Sequence, residues 1–154
     1  MNTIRKGDGM KKEKILIVED ETIIAEDMRS MLREMGYEIL LKADTGEKAI
    51  QIAEKERPDL VLMDIQLKGK LDGIQTAGEI QARFDIPVIY ISAYPESVIE
   101  DAPDLSGSAG YIPKPFDAVQ IGAMVSLTLN TRRLMKGMTE AAEWAARHNE
   151  NPPE

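Results

Sequence analysis

From Lys14 to about residue 130, short runs of consecutive apolar residues alternate with stretches in which apolar residues recur every three or four positions. The runs Ile15-Leu16-Ile17-Val18, Ile39-Leu40-Leu41, Leu60-Val61-Leu62-Met63, Val88-Ile89-Tyr90-Ile91 and the weaker Ala109-Gly110-Tyr111-Ile112 read as five strands. Between them, Ile24, Met28, Met31, Leu32 and Met35 keep helical spacing and stop at Gly36, the residue type expected just past a helix end. A second helix is predicted from about Glu47 to Glu56, before Pro58. A third follows Asp72-Gly73 and gathers Ile74, Ala77, Ile80 and Phe84 on one face, and Pro95 suits the first turn of a short fourth. The fifth opens at Asp117, with Gln120 three residues later as a capping box. The first, third and fourth runs are apolar at consecutive positions, as strands are when helices cover both faces of a sheet. Five β-α repeats of this kind predict an α/β fold with a doubly wound parallel sheet.

The two ends read differently. Residues 1–13 mix charges with two glycines and offer little to bury, so they are expected to form a flexible leader ahead of a domain spanning 14–133. Residues 134–154 are expected to be a helical extension ending in a frayed Asn151-Pro152-Pro153-Glu154. Leu127, Leu134, Met138, Ala141 and Ala145 carry an apolar stripe along this last helix, weakened in its middle by Gly137. The nine methionines sit mostly at helical spacing and read first as core fillers.

A chain of 154 residues with 43% hydrophobic composition suits one domain and leaves little room for a two-domain enzyme. The formal charge of −8 repels a phosphate backbone and argues against nucleic acid as a partner. Zero cysteines exclude a disulfide framework and a thiolate metal cage and favour a cytoplasmic setting. No apolar run approaches the roughly 18 residues that span a bilayer, and the N-terminus is too polar for a signal peptide, so no membrane partner is expected.

In an open parallel sheet, ligands bind beyond the carboxyl ends of the strands. Those ends hold Glu19-Asp20-Glu21, Asp64, Ser92 and Lys114, which right-handed crossovers bring to one rim. Clustered carboxylates lose charge unless a cation joins them, and an all-oxygen donor set without Cys or a well-placed His favours Mg²⁺. Such a site leaves room for phosphate oxygens, which Lys114 and Ser92 could hold. Taken singly, each residue has a plainer reading. Glu19-Asp20 could be acids of a first helical turn, Ser92 a turn residue, Lys114 an exposed lysine, and Tyr111 a core aromatic. Their shared rim tips the balance for the first three; Tyr111 remains even between core packing and function.

In these residues the chain resembles a receiver domain of a two-component response regulator, of the stand-alone chemotaxis type. The resemblance rests on Ile15-Leu16-Ile17-Val18-Glu19-Asp20-Glu21, Pro58-Asp59-Leu60-Val61-Leu62-Met63-Asp64, Asp72-Gly73, Ile91-Ser92-Ala93 and Lys114-Pro115-Phe116, which span about residues 14–130. It implies a flavodoxin-like five-stranded sheet of order 2-1-3-4-5 with a cis Lys114-Pro115 peptide. It further implies that Asp64 accepts a phosphoryl group from a sensor histidine kinase or phosphotransfer protein. Glu19, Asp20, Asp64 and the backbone carbonyl of Gln66 would hold Mg²⁺, Ser92 would be the switch hydroxyl, Lys114 the phosphate-contacting lysine and Tyr111 the aromatic switch. Such a protein is a switch acting on a downstream protein target, not an enzyme with a substrate of its own.

Three departures from the family pattern stand out. The loop from Ile65 to Leu71 is one residue longer than usual and lacks its proline, serine replaces the commoner threonine at position 92, and an aromatic follows at Tyr94. Two rival readings are a degenerate receiver acting as a phosphorylation-independent adaptor and a haloacid-dehalogenase-like phosphatase. The second would want another aspartate where the chain has Gln66. His148 reads as a solvated tail residue more readily than as an internal phosphodonor. Beyond Arg133 the last helix would expose Leu134, Met138 and Trp144, so it is expected either to dock on a partner protein or to pair with its copy in a homodimer.

Overall fold

The computed structural model describes residues 11–40, 43–93 and 109–149. The leader up to residue 10, Leu41, the helix expected at Pro95, Tyr94 and the last residues from 150 lie outside the described part. Within it, the elements run β1 (Lys14–Val18), α1 (Thr22–Glu34), β2 (Glu38–Ile39), α2 (Gly46–Glu56), β3 (Leu60–Asp64), α3 (Gly73–Phe84), β4 (Val88–Ser92), β5 (Gly110–Pro113) and α4 (Ala118–His148). The strands form one parallel sheet of order β2-β1-β3-β4-β5.

The consecutive apolar runs are divided by the pleat, because successive strand residues point to opposite faces. Ile15 and Ile17 of β1, Leu60 and Leu62 of β3, and Ile89 and Ile91 of β4 pack with α1 and α4, meeting Met28, Leu32, Ile121 and Val125. Leu16 and Val18, Val61 and Met63, and Val88 and Tyr90 pack with α2 and α3, meeting Ala49, Ala53, Ala77 and Ile80. Each such side chain, once fully buried, contributes about 1.5–3 kcal/mol. β2 is shorter than the apolar run suggested and starts one residue earlier, at Glu38.

Caps fix where the helices begin. Asp117 accepts from the Gln120 amide while Gln120 Oε1 accepts from the Asp117 amide, the reciprocal box read from the sequence. Asp72 and Gln75 make the same box at α3, just where the third helix was expected to follow Asp72-Gly73. α2 is capped by Thr45, whose hydroxyl accepts from the Lys48 amide.

α4 is much longer than the sheet requires. Ile121, Val125, Thr128 and Leu129 are buried against the sheet, whereas every residue from Arg133 to Trp144 is exposed. Two arginines mark the turn where the helix leaves the domain. Arg132 Nη2 donates to the Asp85 carbonyl and lies 3.4 Å from its carboxylate. Arg133 grips Glu13 with both forks, at 2.7 and 3.1 Å. Glu13, the last leader residue by its sequence, is therefore tied down, and its carbonyl also accepts from the Glu38 amide. Met28, at helical spacing, and Met63, in the third apolar run, are core residues as expected, but Met135 and Met138 of the extension are exposed. No helix among the described residues is long and apolar enough to cross a membrane.

Candidate functional site

The carboxyl ends of β1, β3, β4 and β5 meet at one rim, and the hydrogen-bonding register explains why. β1 pairs with β3 from Ile15↔Leu60 to Val18↔Met63, and β3 pairs with β4 up to Asp64↔Ile91. Glu19, Asp64 and Ser92 consequently emerge at nearly the same height and are all buried. One carboxylate oxygen from each of Glu19, Asp20 and Asp64 lies within 4.8 Å of the others.

Lys114 follows β5 and reaches across the rim. Its Nζ donates to Glu19 Oε1 at 2.8 Å and to Asp64 Oδ2 at 3.4 Å. The Lys114-Pro115 peptide is cis, as the resemblance implied, and the Lys114 amide donates to the Ser92 carbonyl at 2.9 Å. Backbone amides complete the setting: Gln66 donates to Asp64 Oδ1 at 3.1 Å and Glu21 donates to Glu19 Oε2 at 3.2 Å. The turn carrying Gln66 is thus drawn against Asp64.

Glu19 pays most for this crowding. Burial pushes its carboxyl from the ordinary 4.5 up to about 7, and the neighbouring Asp64 adds to the rise, while the Lys114 ammonium and the Glu21 amide oppose it. For Lys114 burial acts downward, but the bond to Glu19 and the charges of Asp64 and Glu19 outweigh it and raise the ammonium above its usual 10.5. One ammonium against three carboxylates leaves a deficit of two positive charges when all are ionised. The donor set is all oxygen, and a hard divalent cation fits both the charge and the donors.

Tyr111, on β5, is half-buried, and its hydroxyl donates to the Ser92 carbonyl at 3.3 Å, so the aromatic and Ser92 are already linked. All the residues singled out at strand ends come together here. His148 does not join them. It lies in the last turn of α4, its ring stacked on Trp144 with centroids 4.2 Å apart. The packing role of Gly73 was not read from the sequence. A Cβ there would stand 2.0 Å from the Asp64 carbonyl oxygen and 2.7 Å from Ile65 Cα, so only glycine lets the start of α3 approach the end of β3 this closely. The Gly73 amide donates to the Ile65 carbonyl at 2.9 Å, which fastens the loop behind Asp64.

Comparison with known proteins gives a consistent picture. The family model described as the response regulator receiver domain matches residues 15–126. A transcriptional regulatory protein, PdtaR of Mycobacterium tuberculosis, is 35% identical over 127 residues, covering 82% of this chain and 61% of its own length. The chain therefore spans less than two thirds of that relative. Among solved structures, the signal receiver domain of a modulated diguanylate cyclase from Desulfovibrio desulfuricans G20 superposes with a TM-score of 0.75 at 31% identity, covering 81% of this chain and 99% of that one. The receiver domain of the sensor histidine kinase PA1611 from Pseudomonas aeruginosa PAO1 carries a magnesium ion coordinated in its active-site cleft. It superposes with a TM-score of 0.70 at 28% identity over 78% of this chain and 99% of its own.

Proposed function

Because the chain belongs to the response regulator receiver domain family, we propose that it is a phosphorylation-controlled switch whose acceptor is Asp64. The observation that carries this reading is the meeting of Asp64 with Lys114 Nζ, 3.4 Å away, inside a cluster of three carboxylates. In the reaction, an Asp64 carboxylate oxygen attacks phosphorus in line. The bond from phosphorus to the donor breaks, with its electron pair leaving on the donor, and an aspartyl phosphate remains. The donor is the phosphohistidine of a sensor histidine kinase or phosphotransfer protein.

Glu19, Asp20, Asp64 and the Gln66 carbonyl are the residues that would hold Mg²⁺. The ion would neutralise these carboxylates and the oxygens of the transferring group. Lys114 would contact a phosphoryl oxygen on Asp64 once Glu19 is otherwise neutralised, a role supported by its 3.4 Å approach to Asp64. Ser92 supplies the hydroxyl that a phosphoryl group of about −1.5 to −2 charge would draw inward, and Tyr111 would follow, a role supported by its bond to the Ser92 carbonyl. Output then passes through protein contacts with a downstream target. The boundaries 14–133 for the receiver and 134–154 for the extension belong to the same proposal, with Glu13 added to the receiver by its bond to Arg133.

The test is the intact mass after incubation with acetyl phosphate and Mg²⁺. The wild-type chain is expected to gain one hydroxylamine-labile phosphoryl adduct, and Asp64→Asn none. Equal incorporation by the variant would overturn the assignment, and no incorporation by the wild type would favour the phosphorylation-independent adaptor.

A further inference from the structure

The long helix α4 has two faces of opposite character, and their placement against the domain is informative. Between Ala123 and Arg147 every charged residue, namely Arg132, Arg133, Lys136, Glu140, Glu143 and Arg147, falls on one side. All but the last line a groove of about 790 Å³ between the helix and the underside of the sheet. The opposite side carries Leu127, Leu134, Met138, Ala141 and Ala145, spaced seven, four, three and four residues apart. Leu127, Leu134 and Met138 are 65%, 69% and 70% exposed, and Trp144 at one margin of the stripe is 58% exposed, whereas Met135 at the other margin lines the charged groove.

The apolar side faces away from the domain, so the domain cannot cover it by drawing the helix closer. Folding the extension back would bury the charged face instead. The stripe also does not stop at the domain's edge. It continues into an apolar groove of about 270 Å³ between α4 and β5, lined by Tyr111, Ile112, Pro113, Ala123, Met124 and Leu127.

The spacing is a seven-residue repeat. Leu127, Leu134 and Ala141 share one repeat position, and Thr131, Met138 and Ala145 another, the two inward positions of a supercoiled helix pair. The positions flanking that seam, which usually carry the charges that select a partner, hold Thr128, Asn130, Met135, Gly137, Ala142 and Trp144 instead. No like charges meet when two such seams face each other, despite a net charge of −8 on each chain. At roughly 100–150 Å² each, Leu127, Leu134, Met138 and Trp144 offer on the order of 500 Å² per copy, or about 1,000 Å² for a pair, the threshold of specific interfaces.

We propose that this stripe is a self-association surface and that its occupant is the same stripe of a second copy, giving a homodimer held by paired α4 helices. The interface is isologous, so each copy hides the other's apolar face. It stands independently of the phosphorylation reading and is tested without phosphoryl donor.

The experiment is sedimentation equilibrium of the unmodified full chain over a range of micromolar concentrations. The chain is expected to be dimeric, the double variant Leu134→Glu/Met138→Glu to dissociate with a dissociation constant raised at least about tenfold, and Lys136→Glu, on the charged face, to match the wild type. Both glutamates replace exposed side chains, and circular dichroism confirms that the sheet domain stays folded. A wild-type chain that is monomeric throughout, a trimer or larger assembly, or a dimer that the double variant leaves intact would each overturn the proposal. So would a dimer that Lys136→Glu weakens as much.

Discussion

The ammonium of Lys114, at the end of β5, donates to the buried carboxylate of Glu19, at the end of β1, across 2.8 Å, nearer than its 3.4 Å approach to Asp64. The lysine is therefore held first by a carboxylate of the candidate metal cluster and only second by the candidate acceptor. Each partner is buried enough to depend on the other for charge balance.

Lys114→Met should expose that dependence. At pH 8 the variant is expected to lose on the order of 2–3 kcal/mol of stability in the absence of metal, because an ionised Glu19 is left buried without its cation. At pH 6 the loss should shrink, since Glu19 can take up a proton instead. Adding Glu19→Gln should recover most of the pH 8 loss. Urea denaturation of the single and double variants completes the cycle, and a loss that Glu19→Gln leaves untouched would contradict the pairing.

Glu19 also predicts a pH dependence. Its folded pKa of about 7 lies above its ordinary 4.5, so between those values the folded chain holds a proton that the unfolded chain releases. The stabilisation from this group is full below 4.5 and is lost as pH rises through 7. Thermal unfolding in EDTA should therefore show a fall across this window that Glu19→Gln flattens. Mg²⁺ competes with the same proton, so its apparent affinity should weaken as pH drops below about 7. Amide shifts of residues 64–66 in a Mg²⁺ titration at pH 6 and 8 measure this, with tighter binding expected at pH 8.

Two glycines should respond in opposite directions to alanine. At Gly73 the new Cβ would meet the Asp64 carbonyl at 2.0 Å, and the resulting shift of β3 against α3 should cost about 2–3 kcal/mol. It should also displace the Asp64 carboxylate and slow any phosphoryl uptake. At Gly137 an added Cβ would meet nothing within 4 Å apart from its own stretch of helix, and the position is an exposed helix interior. Alanine there should firm the extension by about 0.5–1 kcal/mol, read as added helical ellipticity.

The sheet was legible because the apolar runs are short and consecutive, which leaves few alternatives to a sheet covered on both faces. Asp117-Gln120 announced α4, and the strand-end residues Glu19, Asp64, Ser92 and Lys114 announced the site. What the pattern could not convey is distance. Nothing in the spacing says that Lys114 prefers Glu19 over Asp64, because that choice depends on the relative depth of two side chains at the ends of the adjacent strands β1 and β3. Gly73 was visible beside Asp72 at the start of the third helix, but its packing role was not, since a close backbone approach leaves no mark on hydrophobic periodicity. Glu13 was assigned to the leader because its partner, Arg133, is 120 residues away.

The length of α4 gives it a mechanical meaning as well. Of its 31 residues, those up to Leu129 pack on the sheet, and Arg132 and Arg133 are tied to Asp85 and Glu13. The free arm from Arg133 to His148 therefore extends about 24 Å at about 1.5 Å of rise per residue. A tilt of about 10° at its root would carry the far end through about 4 Å, by the geometry of a straight helix of this length. Small adjustments in how the packed turns of α4 sit on the sheet thus reach the far end enlarged, as displacements comparable to a side chain.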